Sequence, residues 1–326
     1  MNLNSLSKIT QIIEPELEEF NKLFRNSIKS KIGIVDLITR YLLKQKGKKI
    51  RPILVLLSSK ISGGINERSY RGAGLVELLH TATLVHDDVV DNAETRRYFP
   101  SINAIWKNKI AVLMGDYLLA KGLMLAIDSK DFDFLEVITQ TVRRMSEGEL
   151  LQISKTRKLD NDEETYFRII SDKTASLIST CCEIGARAAT EDKVKIEALK
   201  QFGENLGIAF QIRDDILDYV GKSKIIGKPL GGDIREKKLT LPLIHALSKS
   251  NNVESDKILK TIKRGGKKLD VNNVIEFVKR YDGIDYSEKV SKEYAQKAIK
   301  SLEIFEPSEA KDSLINLVEF VVNRKN

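Results

Sequence analysis

Cysteine is nearly absent from this chain of 326 residues: there are two, Cys181 and Cys182, side by side. Adjacent cysteines seldom meet disulfide geometry and no second pair exists, so a secreted disulfide framework is excluded. Three histidines (His80, His86, His245) and two thiols also make a poor zinc ligand set. Proline and glycine are sparse, at 6 and 19. An all-β chain needs turn chemistry every few residues, so this scarcity argues against one. Strand-like alternation is missing throughout. No apolar run approaches the roughly 20 residues of a spanning helix, and Met1 to Thr10 has no apolar segment behind a basic start. These absences predict a soluble, cytoplasmic protein without a membrane span.

What remains is 42% hydrophobic and 31% charged, enough for a sizeable core and rich in helix formers. Fifty-four basic against 46 acidic residues leave +8. That excess suits nucleic acid, an anionic membrane surface or phosphorylated small molecules, and placement has to choose. The basic residues are dispersed and interleaved with acid, with no recognition-helix stripe, so no nucleic-acid partner is expected.

Apolar residues recur at helical spacing from Leu3 to Ile28, with Pro15 predicting a kink or break. Ile34–Leu43 and the short Ile53–Ile61 follow, separated by a basic stretch in which Gly47 is a stop signal and Pro52 a start. Long helical patterns cover Tyr70–Asp91, Phe132–Ile153, Glu163–Ala189 and Asp192–Tyr219. Ile110–Ile127 is apolar on almost all sides and reads as a buried central helix. Loops are expected at Asn92–Pro100 and Gly221–Lys238, with shorter, more charged helices from Leu239 to Val322. No repeat, low-complexity block or linker is visible. The expectation is an all-α chain, one domain over 1–326, folded as a single large helical bundle of more than four helices.

Two acidic blocks stand out, Asp87-Asp88-x-x-Asp91 and Asp214-Asp215-x-x-Asp218, each near the C-terminal end of an apolar helix. Positions i and i+4 share a helix face, so Asp87 stands over Asp91 and Asp214 over Asp218. Such carboxylates repel one another and crowd the negative end of the macrodipole. Hard cations offset this, and magnesium is commonly shared between a few carboxylates and substrate phosphates. One block alone would read equally well as a solvated helix end; two of the same pattern, flanked by Leu84, Val85, Ile212 and Ile216, point to a hydrophobic mouth. Arg96 and Arg97, Lys228 and Lys238, and Lys48 and Arg51 lie close by in sequence. Carboxylates with magnesium, ringed by Lys and Arg, make a diphosphate site.

The chain resembles the trans-isoprenyl diphosphate synthases, and most of all their long-chain polyprenyl, octaprenyl-type members. The matching segments are Gly47-Lys-Lys-Ile-Arg-Pro52, Leu78 to Asp91 with Arg96-Arg97, Met114-Gly-Asp-Tyr117, Gly148-Glu-Leu-Leu-Gln152, Lys173-Thr174, Phe210 to Asp218, and Gly227 to Asp233 leading to Lys238-Leu-Thr-Leu-Pro242. They run in the family's order from about residue 45 to 245; the ends carry only helical pattern. The resemblance implies the isoprenoid synthase fold, a helical bundle around a central apolar cavity, and head-to-tail condensation of isopentenyl diphosphate onto an allylic diphosphate. It implies Mg2+, three ions per active site, on Asp87, Asp88, Asp91, Asp214, Asp215 and Asp218. Arg96, Lys173, Thr174, Gln211, Lys228 and Lys238 would hold the allylic diphosphate. Lys48, Arg51, His80 and Arg97 would hold isopentenyl diphosphate. His80 on an apolar helix reads equally as a packed core residue. Two loop positions depart from the family pattern, Lys46 and Tyr98 standing where many relatives carry glycine; altered loop rigidity is expected there, not lost chemistry.

In the family, a bulky aromatic four or five positions before the first Asp gives short products. Here those positions are Thr83 and Ala82, with Leu79 one turn further back, so a long all-trans product is expected, destined by resemblance for a quinone side chain. A homodimer is expected, with Ile110–Ile127 as interface or simply core, and peripheral membrane contact at product release. The alternatives are a shorter-chain synthase making farnesyl or geranylgeranyl diphosphate, a subunit of a heteromeric synthase, and a terpene cyclase.

Overall fold

The break at Pro15 is present in the computed structural model, which describes residues 3–45, 47–96, 99–220, 230–265 and 270–324. Helix α1 (Leu3–Thr10) passes through a tight turn at Gln11–Ile13 into α2 (Glu14–Ser27), whose first turn accommodates Pro15. Then come α3 (Gly33–Lys44) and α4 (Ile50–Ser62), with Pro52 in the first turn of α4. Helix α5 (Glu67–Val90) starts at a reciprocal capping box between Asn66 and Ser69.

The loop after α5 holds a two-residue hairpin, β1 (Thr95–Arg96) paired with β2 (Phe99–Pro100), too short for alternation to reveal. Helix α6 (Ile102–Asp128) begins earlier than its apolar run, because Asn103, Lys107, Asn108 and Lys109 mask its first turns; the backbone departs from helix at Lys107. Helix α7 is Phe132–Lys158. The single helix expected over Glu163–Ala189 is instead α8 (Glu163–Ile170), a π turn (Ser171–Ala175) and α9 (Ser176–Ala189). Helix α10 (Lys193–Val220) leads to the short α11 (Gly232–Arg235). Last come α12 (Leu241–Lys249), α13 (Asn252–Arg264), α14 (Val271–Arg280), α15 (Gly283–Ser301) and α16 (Glu309–Asn323).

Two apolar clusters form the interior. The larger is built from α4, α5, α6, α7, α9 and the first half of α10, joined by α1 to α3, α15 and α16; the smaller gathers α8 and α11 to α15 around the second half of α10. Leu206 faces the first and Ile212 and Ile216 the second, so α10 spans both and delivers its acidic end between them. Helix α6 approaches α5 closely because Gly122 has no Cβ, which would otherwise lie 3.3 Å from Leu78 Cβ.

Helix α6 corrects two expectations. It is buried on one face only: Ala111, Met114 and Leu118 pack inward, whereas Val112, Leu113, Met124 and Ile127 are 41–59% exposed. Apolar composition does not distinguish a core helix from a helix with an apolar outer face. Among the described residues it is also long and apolar enough to cross a membrane by length and composition, a test that core helices of globular proteins pass as well. Both cysteines are buried free thiols.

Candidate active site

Helix α5 carries the first acidic motif on its last turn. Asp88 is buried, and Arg96 Nε donates to its Oδ1 at 2.6 Å from the hairpin. Burial raises the Asp88 pKa, and the Arg96 hydrogen bond opposes the rise. Asp87 faces the π turn: burial raises its pKa, with Lys173 opposing and Glu149 and Asp91 adding to it. Asp91 caps the helix, its N–H donating to Asp87 O at 2.8 Å, and is exposed.

Helix α10 carries the second motif. Asp215 is buried and receives two hydrogen bonds, from Tyr166 Oη at 2.7 Å and Gln211 Nε2 at 2.8 Å. Burial and then Asp233 push its pKa well above the carboxylate range. Asp214 accepts a hydrogen bond from Arg324, just past α16; burial raises its pKa, with Arg324 and Lys48 opposing. The two oxygens of Asp218 accept from Gly232 N–H and Asp233 N–H, both at 2.9 Å, and so hold the start of α11.

The six aspartates therefore do not form one shared ligand cluster. Among the described residues no three His, Cys, Asp or Glu side chains are disposed to hold a metal ion. The donor set nevertheless fits magnesium. It consists of hard carboxylate oxygens, and magnesium is held by one or two carboxylates plus substrate phosphate. Burial raises the pKa of four of them, which marks charge that a cation would stabilise.

Three cavities collect the basic residues. One of about 110 Å3 is lined by Lys173, Thr174, Gln211 and Lys238 with Asp215, Asp233 and Tyr166. In it Thr174 Oγ1 donates to Gln211 Oε1 at 2.9 Å, and Lys173 reaches Glu149 at 2.5 Å and Gln152 at 3.2 Å. A second, of about 500 Å3, is lined by Lys48, Arg51 and His80 with Glu77, Phe210 and Arg324, and again by Thr174. A third, of about 350 Å3, holds Arg96, Asp88 and the other side of His80. Four residues of the expected allylic set thus come together, and three of the isopentenyl set. Arg96 is the exception, lining the third cavity with Asp88 rather than the first with Lys173. His80 lines two cavities and is more than a packed core residue. Arg97 and Lys228, and the departures Lys46 and Tyr98, lie outside the described residues.

Leu79 and Ala82 are buried in the larger core cluster, and Thr83 donates to His80 O at 2.9 Å. None of the three lines these cavities.

Several residues here were not singled out from the sequence. Asp233, Glu149 and Gln152 sit inside segments that had been matched, without a role. Tyr166 and Arg324 carry no sequence signal. Burial, then Asp218, raises the Asp233 pKa to about 6, with Lys238 opposing. Lys238 is itself paired with Glu236 at 2.6 Å.

An all-helical bundle in which each acidic motif contributes a carboxylate to a cation-lined cavity defines the class: this is the isoprenoid synthase fold. A polyprenyl synthase from Caulobacter crescentus, crystallised with calcium and isoprenyl diphosphate, superposes with a TM-score of 0.91 at 33% identity, covering 98% of each chain. The family model for polyprenyl synthetase matches residues 33–278, and the chain belongs to that family. An octaprenyl diphosphate synthase from Haemophilus influenzae is 32% identical over 323 residues, 99% of this chain and 98% of the relative. A short chain isoprenyl diphosphate synthase from Methanothermobacter thermautotrophicus is 35% identical over 292 residues, 88% and 90% of the two chains.

Proposed function

We propose that this chain joins isopentenyl diphosphate head-to-tail to an allylic diphosphate, farnesyl or geranylgeranyl, and repeats the step to a long all-trans polyprenyl diphosphate. The observation that carries this reading is Thr174, which lines both the cavity of Lys173, Gln211 and Lys238 and the cavity of Lys48, Arg51 and His80. Two cation-lined cavities meeting at one residue suit two diphosphate substrates whose carbons have to meet.

Asp87, Asp88, Asp91, Asp214, Asp215 and Asp218 are the residues to hold magnesium, which when bound neutralises charge on the departing diphosphate. Lys173 and Lys238 stabilise the same developing charge from the protein side. The allylic C–O bond breaks and its electron pair leaves with the diphosphate. The isopentenyl double bond attacks the allylic cation, and a proton passes to the released diphosphate as the new double bond forms. No side-chain base is required. Ile178, Leu206 and Phe210 wall the second cavity and keep out water that would quench the cation.

The long chain rests on the small side chains of Ala82 and Thr83 before Asp87 and on the octaprenyl name of one relative, although neither residue lines any of the three cavities. The exposed apolar face of α6 supports a homodimer through Val112, Leu113, Met124 and Ile127. On this reading the chain acts as one cytoplasmic domain, residues 1–326, touching a membrane only to release product. Consumption of isopentenyl diphosphate by the lone purified chain tests the reading. Consumption only after a second protein is added would make it one subunit of a heteromeric synthase.

A further inference from the structure

The π turn at Ser171–Ala175 interrupts what the sequence presents as one continuous helix. A π turn adds one residue to the helical register and is rarely stable on its own helix propensity. Here the widened turn carries Lys173 and Thr174, adjacent residues that reach opposite ways. Lys173 goes to Glu149 and Gln152 on α7, and Thr174 to Gln211 on α10. What holds the turn lies behind it, outside the cavities.

Arg144 of α7 donates from Nε to Asp172 Oδ1 at 2.8 Å and from Nη2 to Ser171 Oγ at 2.9 Å. The same Nη2 reaches Glu204 Oε1 on α10 at 2.8 Å, and Ser171 Oγ donates to that oxygen at 2.5 Å. Both carboxylates are mostly buried, with side chains 17% and 20% exposed, so Arg144 is their main compensation. Ser176 Oγ closes the turn from below, donating to Asp172 O at 2.6 Å. Two glycines let the flanking helices press in. A Cβ on Gly148 would lie 3.1 Å from Lys173 N, and one on Gly207 would lie 2.5 Å from Ala175 Cα.

We infer that Arg144 is a positioning residue: by tying Asp172 and Ser171 of the π turn to Glu204 of α10, it fixes where Lys173 and Thr174 meet the allylic diphosphate. The inference rests on the proposed role of Lys173 and Thr174 and extends it to a group that touches no substrate. No side chain of the clamp lines the cavity of Lys48, Arg51 and His80, and that cavity shares only Thr174 with the turn, so the isopentenyl side should feel its loss much less than the allylic side.

The experiment compares wild type with Arg144→Met, Arg144→Lys and Glu204→Gln, each held well below its own melting temperature. KM is measured for farnesyl diphosphate and for isopentenyl diphosphate, and calorimetry gives the affinity for farnesyl thiolodiphosphate, an allylic analogue that does not react. Arg144→Met should raise the farnesyl diphosphate KM and weaken analogue binding about fivefold or more, while the isopentenyl diphosphate KM stays within about twofold. Arg144→Lys should recover only part of the loss, since its single nitrogen reaches fewer partners than the guanidinium fork. Glu204→Gln, which keeps the Arg144–Asp172 contact, should shift the same parameters in the same direction and carries the test if Arg144→Met does not fold. A lowered melting temperature with both KM values and the analogue affinity unchanged would overturn the inference, as would an equal rise in both KM values. A wild-type chain that neither binds the analogue nor consumes isopentenyl diphosphate would overturn the functional reading, and the inference with it.

Discussion

Tyr166 donates a 2.7 Å hydrogen bond to Asp215 Oδ2, joining α8 to the centre of the second acidic motif. With Gln211 on the other oxygen, both sides of the Asp215 carboxylate are oriented by neutral donors. Tyr166→Phe removes one of them without changing shape. Hydrogen bonds to charged groups are worth about 1.5–3 kcal/mol, so turnover should fall about tenfold or more, with the fold retained. Steady-state rates alongside a thermal melt check this; an unchanged rate would show that Tyr166 only packs.

Asp87→Ala and Asp214→Ala should each lower turnover by orders of magnitude while circular dichroism stays helical. Lys173 acts electrostatically on Asp87, and Asp214 accepts a hydrogen bond from Arg324. Near-normal activity in both variants would contradict the assignment of the acidic motifs.

The raised carboxylates set a sign for pH dependence. Asp233 has a pKa of about 6 in the folded chain against an ordinary 3.8. A carboxyl whose pKa is raised by folding binds more protons folded than unfolded, so stability falls as pH rises through that window. Asp87, Asp88, Asp214 and Asp215 shift the same way. With EDTA present, the melting temperature should therefore rise as the pH is taken from about 7 to about 5. Asp233→Asn should flatten the slope. Magnesium at neutral pH should raise the melting temperature, by about 2.7 kcal/mol of stabilisation at a hundred times its Kd. A melting temperature that falls on mild acidification in EDTA would contradict the burial of these groups.

Ala82→Tyr should shorten the product. Ala82 is buried, so a large ring also strains the core by about 1–3 kcal/mol, and the variant should be assayed in the cold. A product distribution identical to wild type would place the floor of the tunnel away from this turn of α5.

The acidic motifs and the helix break at Pro15 were legible because each depends on residue type at short range; the grouping of Lys48, Arg51 and His80 came from the family resemblance alone. The π turn was not. Ser176 to Ala186 are buried on every side, so their apolar pattern has no phase that one inserted residue could shift. The outer face of α6 was misread for a related reason, since Val112 and Leu113 look identical in sequence whether buried or exposed. Tyr166 and Arg324 meet Asp215 and Asp214 across 49 and 110 residues, and no local pattern announces such a meeting. Asp218 was assigned by its spacing and by the resemblance, and neither shows that its oxygens meet Gly232 and Asp233, 14 and 15 residues on.

The most direct test of the account is incubation of the purified chain with magnesium, isopentenyl diphosphate and farnesyl diphosphate, followed by mass spectrometry of the dephosphorylated products. The account predicts a ladder of all-trans prenols ending at a long chain. No consumption of isopentenyl diphosphate with geranyl, farnesyl or geranylgeranyl diphosphate as primer would contradict it.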